Sequence, residues 1–248
     1  MKNKLEYVMD IAEQMLISGA EVSRVEESVT RICRAMGAAR SDCFIITSLM
    51  CVTVHDESGE TYTQTRRIRA LGTHFHKLEK LNALSRRICA EKLSEEELGE
   101  ALDEIKRCKP YPLGVSFAAY AVIAFAFTLF FGGTPLQALA ALFVGCGVKA
   151  AVALSERTLK NPIFCTFASA AVLTALTFLV SRLTSLGGDE IIIGNIMLLV
   201  SGLGFTNALR DLFTGDSISG ILRLLEALLG AVAIAGGYFL VAFLGGAV

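Results

Sequence analysis

Charge is what the second half of this chain lacks. Of its 23 Lys and Arg and 24 Asp and Glu, only 6 of each lie after residue 112. Such a deficit over 136 residues excludes an ordinary water-facing surface there. Proline is also scarce, and the four present (Pro110, Pro112, Pro135, Pro162) sit at the entrances of apolar runs rather than inside them. No basic block or basic stripe with interleaved aromatics occurs, which excludes nucleic acid as a partner. The 7 cysteines are an odd number and make no complete disulfide framework. Cys33, Cys43, Cys51, Cys89 and Cys108 lie in the polar part and read as reduced thiols facing a cytosol. No GxxxxGK[ST] loop is present, so this chain is not expected to hydrolyse ATP for transport. GxSxG and HExxH are missing too, so Ser116, Ser169 and Ser181 read as polar groups of membrane helices rather than nucleophiles. The His74-x-His76 spacing does not put two imidazoles on one helix face, and nothing completes a ligand set with His55. No metal and no cofactor are therefore expected. Glu6, Asp10, Glu13 and Glu21 interrupt the first 21 residues, so no signal peptide is read and the N-terminus is expected in the cytosol.

What replaces charge is hydrocarbon. Five apolar spans follow one another, at about 113–131, 135–154, 162–180, 191–209 and 218–244. Each has the ~20 residues needed to cross roughly 30 Å of bilayer core. Thr134-Pro135 and Asn161-Pro162 read as helix caps followed by proline at the first helical position. Arg157 and Lys160 follow the second span, and Arg210 follows the fourth with Arg223 just beyond. The first connection carries no charge, and Arg182 after the third span dissents. The bias gives an inside N-terminus and an outside C-terminus.

Residues 1–111 read as a cytosolic α+β domain, and residues 112–248 as an all-α bundle of five transmembrane helices. Leu5, Val8, Ile11, Ala12 and Met15 recur at helical spacing, and so do Val22, Val25, Val29, Ile32 and Cys33. Ser18-Gly19 separates the two helices, and Gly37 caps the second. The β-branched run 43–55 and the alternating run 60–68 predict a β-hairpin turning at Asp56–Gly59. Leu78, Leu81, Leu84 and Ile88 mark a third helix, and Ser94-Glu95-Glu96-Glu97 opens a fourth with a capping box.

Polar residues gather in and after the fourth span: Asn195, Asn207, Arg210, Asp211, Asp216, Arg223 and Glu226, interspersed with glycines. Ionisable groups near membrane depth usually line a polar path, and glycine-broken helices bind small ions or zwitterions. The bland alternative is a polar loop, with Arg223 and Glu226 paired along one helix and the asparagines bonding between helices. Lys149 lies inside the second span and either snorkels toward Glu156 or meets a substrate carboxylate. In the polar half, Glu21, Arg24 and Glu26 form a compact charged motif at a helix start, which intrahelical pairing and the helix dipole would also explain.

Taken together, Gly19-Ala20-Glu21-Val22-Ser23-Arg24-Val25-Glu26, His55-Asp56, Thr65-Arg66-Arg67-Ile68, Leu81-Asn82-Ala83-Leu84-Ser85-Arg86, Asn207-Ala208-Leu209-Arg210-Asp211-Leu212 and Gly215-Asp216 resemble the threonine/serine exporter (ThrE-like) family over nearly the whole chain. The resemblance is to the larger subunit of the family's split form. It implies a secondary transporter subunit in a bacterial inner membrane, exporting threonine and serine or a small dicarboxylate such as succinate. It also implies membrane lipid around the bundle and a small multi-span partner subunit, or a homo-oligomer. The family supplies no list of binding residues; Lys149, Asn195, Asn207, Arg210, Asp211, Arg223 and Glu226 are the physical candidates. An odd span number fits one half of an inverted-repeat transporter. The rival reading is a membrane-anchored cytosolic sensor or enzyme whose soluble domain binds, or hydrolyses, a small metabolite.

Overall fold

The computed structural model describes residues 2–69, 71–91, 93–109, 111–159 and 161–245. Pro110 and Lys160, used above for a span entrance and a loop charge, lie outside them. The chain divides into two compact units, Met1–Pro110 with Thr206–Arg223, and Tyr111–Phe205 with Leu224–Val248.

The first unit opens with helices α1 (Lys2–Ile17) and α2 (Val22–Ala35). Three strands follow, β1 (Ala38–Ile46), β2 (Leu49–Asp56) and β3 (Thr61–Arg67), then α3 (Phe75–Ala90) and α4 (Glu95–Lys106). The strands form one antiparallel sheet in the order β1-β2-β3. The expected hairpin is there, with Gly59 at φ +87° and Asp56 Oδ1 accepting from the Ser58 and Glu60 amides. The run 43–55, however, is not one strand. It folds back at Thr47-Ser48, pairing Ile46 with Leu49. Its unbroken apolar and β-branched character hides this two-residue turn, which carries none of the glycine, proline or Asn/Asp that usually mark one.

Every apolar position read as a stripe on the first three helices is buried, from Val8, Ile11 and Met15 to Leu81 and Ile88. Met50, Val52 and Val54 alternate inward from β2 and close the core against them. Outside that core, Asp10 joins α1 to Arg66 on β3 and to Lys106 on α4, at 2.6 Å for the latter. Ser94 and Glu97 form the expected capping box of α4.

In the second unit, α5 (Leu113–Phe130), α6 (Pro135–Thr158) and α7 (Pro162–Thr184) are long and apolar enough to cross a membrane, as is α10 (Ser217–Leu244), whose residues from Leu224 on belong here. Among the described residues these are the four such helices. Thr134 and Gln137 form a capping box ahead of Pro135, and Asn161 Oδ1 accepts from the Ile163 amide ahead of Pro162. The segment read as the fourth span, at about 191–209, is interrupted, as its glycines allowed. It consists of α8 (Asp189–Ile196) and α9 (Gly202–Thr214), separated by a bend at Met197–Ser201. Glycine at 202 and 204 and serine at 201 disfavour propagation through this stretch, while the apolar side chains around them keep the hydropathy high.

Small residues let the helices of this unit approach. A Cβ on Gly145 of α6 would stand 2.8 Å from Ala124 Cβ of α5, and one on Gly194 of α8 would stand 2.3 Å from Thr128 Oγ1 of α5. Gly237 of α10 does the same against the Phe167 carbonyl of α7, at 2.4 Å. Close backbone approach of this kind is how membrane helices gain dispersion contacts when burial from lipid offers little. Gly194→Ala is therefore expected to lower the unfolding midpoint of the detergent-solubilised chain, overpacking costing about 1–3 kcal/mol. Gly230→Ala, with nothing within 4 Å of its Cβ position, should leave the midpoint unchanged or slightly raised. Thermal unfolding of the two variants checks this; equal losses would refute the packing role.

Candidate functional site: a polar clasp on the α1–α2 turn

The motif Gly19–Glu26 begins where α1 stops. Gly19 adopts φ +98°, and a Cβ there would press on the Gly72 carbonyl at 3.1 Å. Its left-handed conformation ends α1 and turns the chain, so that Glu21 becomes the N-cap of α2. The turn leaves the carbonyls of Gly19 and Ala20 pointing out of any helix.

Both are taken by residues nearly two hundred positions later. Asn207 Nδ2 of α9 donates to the Gly19 carbonyl at 3.5 Å, and Arg223 Nη2 of α10 donates to the Ala20 carbonyl at 3.1 Å. Arg210 Nη1 lies 2.8 Å from Glu21 Oε1. Arg223 Nε also lies 3.2 Å from Asp211 Oδ2, with the two side chains only 7% and 0% exposed. The contact is an ion pair in which the Nε–H is not aligned as a hydrogen bond.

The α9–α10 connection is built to bring these groups in. Gly215, at φ +96°, makes the turn, and the Asp216 amide bonds back to the Asp211 carbonyl at 2.8 Å. Gly220 lets α10 lie against α9, since a Cβ there would meet the Ala208 carbonyl at 2.9 Å. Glu26, one turn into α2, accepts from the Ile45 amide of β1 at 2.9 Å and so ties the motif to the sheet. Burial pushes the Glu26 carboxyl up against the pull of that amide, and the Asp216 charge adds to the rise.

The structure thus gathers Glu21, Glu26, Asn207, Arg210, Asp211 and Arg223 in one unit. Arg24 is exposed on α2. Lys149, Asn195 and Glu226 belong to the other unit. Lys149 Nζ sits 5.1 Å from the centre of the Tyr120 ring, a cation–π contact. Asn195 is wholly buried and bonds to the Ile191 carbonyl at 2.9 Å and the Ala141 carbonyl at 3.5 Å, with its Oδ1 unpartnered. Glu226 is exposed on α10. Sequence reasoning paired Arg223 with Glu226 in its bland alternative; the structure pairs it with Asp211. It also missed the two backbone acceptors, Gly19 and Ala20, because carbonyl groups leave no trace in residue type. The signal that was available is the complementary charge of two separate motifs, Glu21 in one and Arg210 in the other.

The clasp consists of donors, acceptors and two ion pairs. Which machine needs it follows from the rest of the chain. The profile of the family described as "Putative threonine/serine exporter" matches residues 6–245. The chain belongs to the threonine/serine exporter family. A relative in Mycobacterium tuberculosis, named "Probable threonine/serine exporter", is 25% identical over 230 residues, which are 90% of this chain and 43% of that protein. The chain thus spans less than half the length of that exporter. No solved structure matches. Family membership is joined by four helices, among the described residues, that are long and apolar enough to cross a membrane.

Removing one partner of a buried ion pair leaves the other charge stranded, at a cost of about 3–5 kcal/mol. Asp211→Asn should therefore destabilise the chain strongly, whereas Asp211→Leu combined with Arg223→Met should cost less than the sum of the two single changes. Unfolding of all the variants in one detergent measures the coupling; strict additivity would show that the two residues do not depend on each other.

Proposed function

We propose that this chain is one part of a secondary exporter of threonine and serine in a bacterial inner membrane, with residues 1–110 on the cytosolic side. The observation that carries the reading is the exporter-family match over residues 6–245. The name of the M. tuberculosis relative supports the same substrates and gives succinate no support. In this reading the interrupted α8–α9 segment supplies the fifth crossing, which leaves the C-terminus outside. In the same reading the exporter includes a second membrane part, either a small multi-span subunit or a second copy of this chain.

The clasp then serves as a joint rather than as the substrate's own seat. Asn207, Arg210 and Arg223 each direct a donor at the α1–α2 turn. Helices α9 and α10 both continue beyond the clasp into the second unit's residues. A joint held by one under-bonded buried ion pair and one half-exposed pair is cheap enough to remake during alternating access.

Proteoliposomes loaded with labelled threonine, serine or succinate test the reading. Saturable release of threonine and serine should require this chain together with its second part. Absence of release from a folded, correctly inserted complex would overturn it, and release of succinate instead would change the substrate. A charge swap tests the joint. Arg210→Glu should slow efflux several-fold, and Glu21→Arg added to it should restore much of the rate. A substrate-binding Arg210 would not be rescued in this way.

A further inference from the structure

The second unit holds a cavity of about 380 Å³ that the clasp does not use. Its wall includes Tyr120 of α5, Glu156 of α6, and Cys165, Thr166 and Ser169 of α7. Leu198 and Leu199, which stand in the bend between α8 and α9, line it too. Such a volume is in the range of small-ligand sites, and an apolar lining with a few convergent polar groups is their usual character.

Three features single this cavity out. First, the Ser169 hydroxyl is buried, with the residue 1% exposed, and it has no hydrogen-bond partner. A buried hydroxyl on a membrane helix ordinarily bonds back to a carbonyl of its own helix, as Thr174 and Thr177 do farther along α7. Ser169 keeps its donor for something else. Second, the charges have opposite signs at two levels. Glu156 and Lys149 are seven residues apart on α6, two turns along one face and roughly 10 Å along the axis. Lys149 Nζ lies over the ring of Tyr120, itself part of the cavity wall. Third, one wall is the interrupted segment, where the chain leaves the helical ladder. Among the described residues, the Leu198 and Leu199 carbonyls accept no backbone hydrogen bond. Broken helices next to a cavity are where transporters bind small polar solutes.

We propose that this cavity is the binding site for the transported zwitterion, a small hydroxyl-bearing α-amino acid. The assignment rests on the exporter reading above and adds the site to it. The ammonium group meets the Glu156 carboxylate and the open carbonyls of the α8–α9 bend. The carboxylate faces the Lys149 side, with Tyr120 between. The side-chain hydroxyl exchanges hydrogen bonds with Ser169 and Thr166. A dicarboxylate finds one cation and a repelling Glu156, so the site selects against it. This chemistry also gives Lys149, a costly charge inside an apolar helix, a partner that arrives with the substrate.

Cys165 provides the probe, since it borders the cavity and its thiol donates to the Leu159 carbonyl at 3.5 Å. The full chain carrying Cys165 as its sole cysteine is labelled with a maleimide in detergent and in membranes, with a version carrying only Cys146 as control. Threonine and serine should slow labelling of Cys165 in a saturable way, while succinate should not, and labelling of Cys146 should not respond. Glu156→Gln should raise the threonine concentration for half-protection about tenfold or more, the loss of a charge-assisted hydrogen bond. Ser169→Ala should weaken threonine and serine more than alanine, a split that a merely structural serine would not give. Labelling indifferent to threonine, in a complex that still exports it, would overturn this site and leave the exporter reading standing; a cavity filled only by lipid gives that result. Protection by succinate and not by threonine would overturn the zwitterion assignment.

Discussion

An arginine and an aspartate that are both withdrawn from water have few tolerable arrangements. Each needs the other, and whatever lone pairs or N–H groups remain must find backbone. Arg223 and Asp211 solve this by borrowing the Ala20 carbonyl. The borrowed group exists only because Gly19 stops α1 with a left-handed turn and Glu21 restarts the chain as an N-cap. Gly215 and Gly220 matter for the same reason, since they bring α9 and α10 close enough to present the pair. Glu26 then carries the arrangement to the sheet through Ile45. Desolvation alone makes such a pair a poor source of stability, because apolar residues would serve as well. Its value is positional: it specifies which turn meets which helix.

The apolar unit obeys a different demand. In hydrocarbon no water repairs an open backbone group, so helices must be capped by their own side chains. Thr134 with Gln137, and Asn161 ahead of Pro162, meet that demand in residues whose types announce it. The bend at Met197–Ser201 departs from it, and the departure borders a cavity with hydroxyls and charge. Within a membrane, irregular backbone is tolerated where it is buried in protein or lines a polar space. The polar residues of the unit then divide by contact: Asn195 bonds across helices, Lys149 lies over the Tyr120 ring, and Ser169 and Glu156 line open volume.

Much of this was legible in the residues. Hydrophobic periodicity marked the first three helices down to the individual buried positions, because a stripe at 3.6-residue spacing matches one face of a helix and little else. The capping boxes at Ser94 and Thr134 were visible for the same local reason. The turn at Thr47-Ser48 was not, since Thr and Ser signal a turn only weakly inside a β-branched run. The break in the fourth span was visible only as glycines, because hydropathy averages over a bend as easily as over a helix. At the clasp, side-chain identities were found and partners were not. Residue 20 and residue 223 are related by tertiary folding, and one of the two groups is a carbonyl that every residue possesses.

The placement of that carbonyl has a consequence for how the protein is made. At about 5–20 residues per second, the ribosome takes roughly 10–40 s to go from residue 20 to residue 223. The helices and strands of residues 2–106 are complete long before then. Throughout that interval the α1–α2 turn stands with its acceptors and Glu21 unanswered by the partners they have in the folded chain. The N-terminal unit is therefore finished from the far end of the chain. Its last contacts form only after most of the apolar helices have left the ribosome, so membrane insertion and completion of the polar unit belong to one sequence of events.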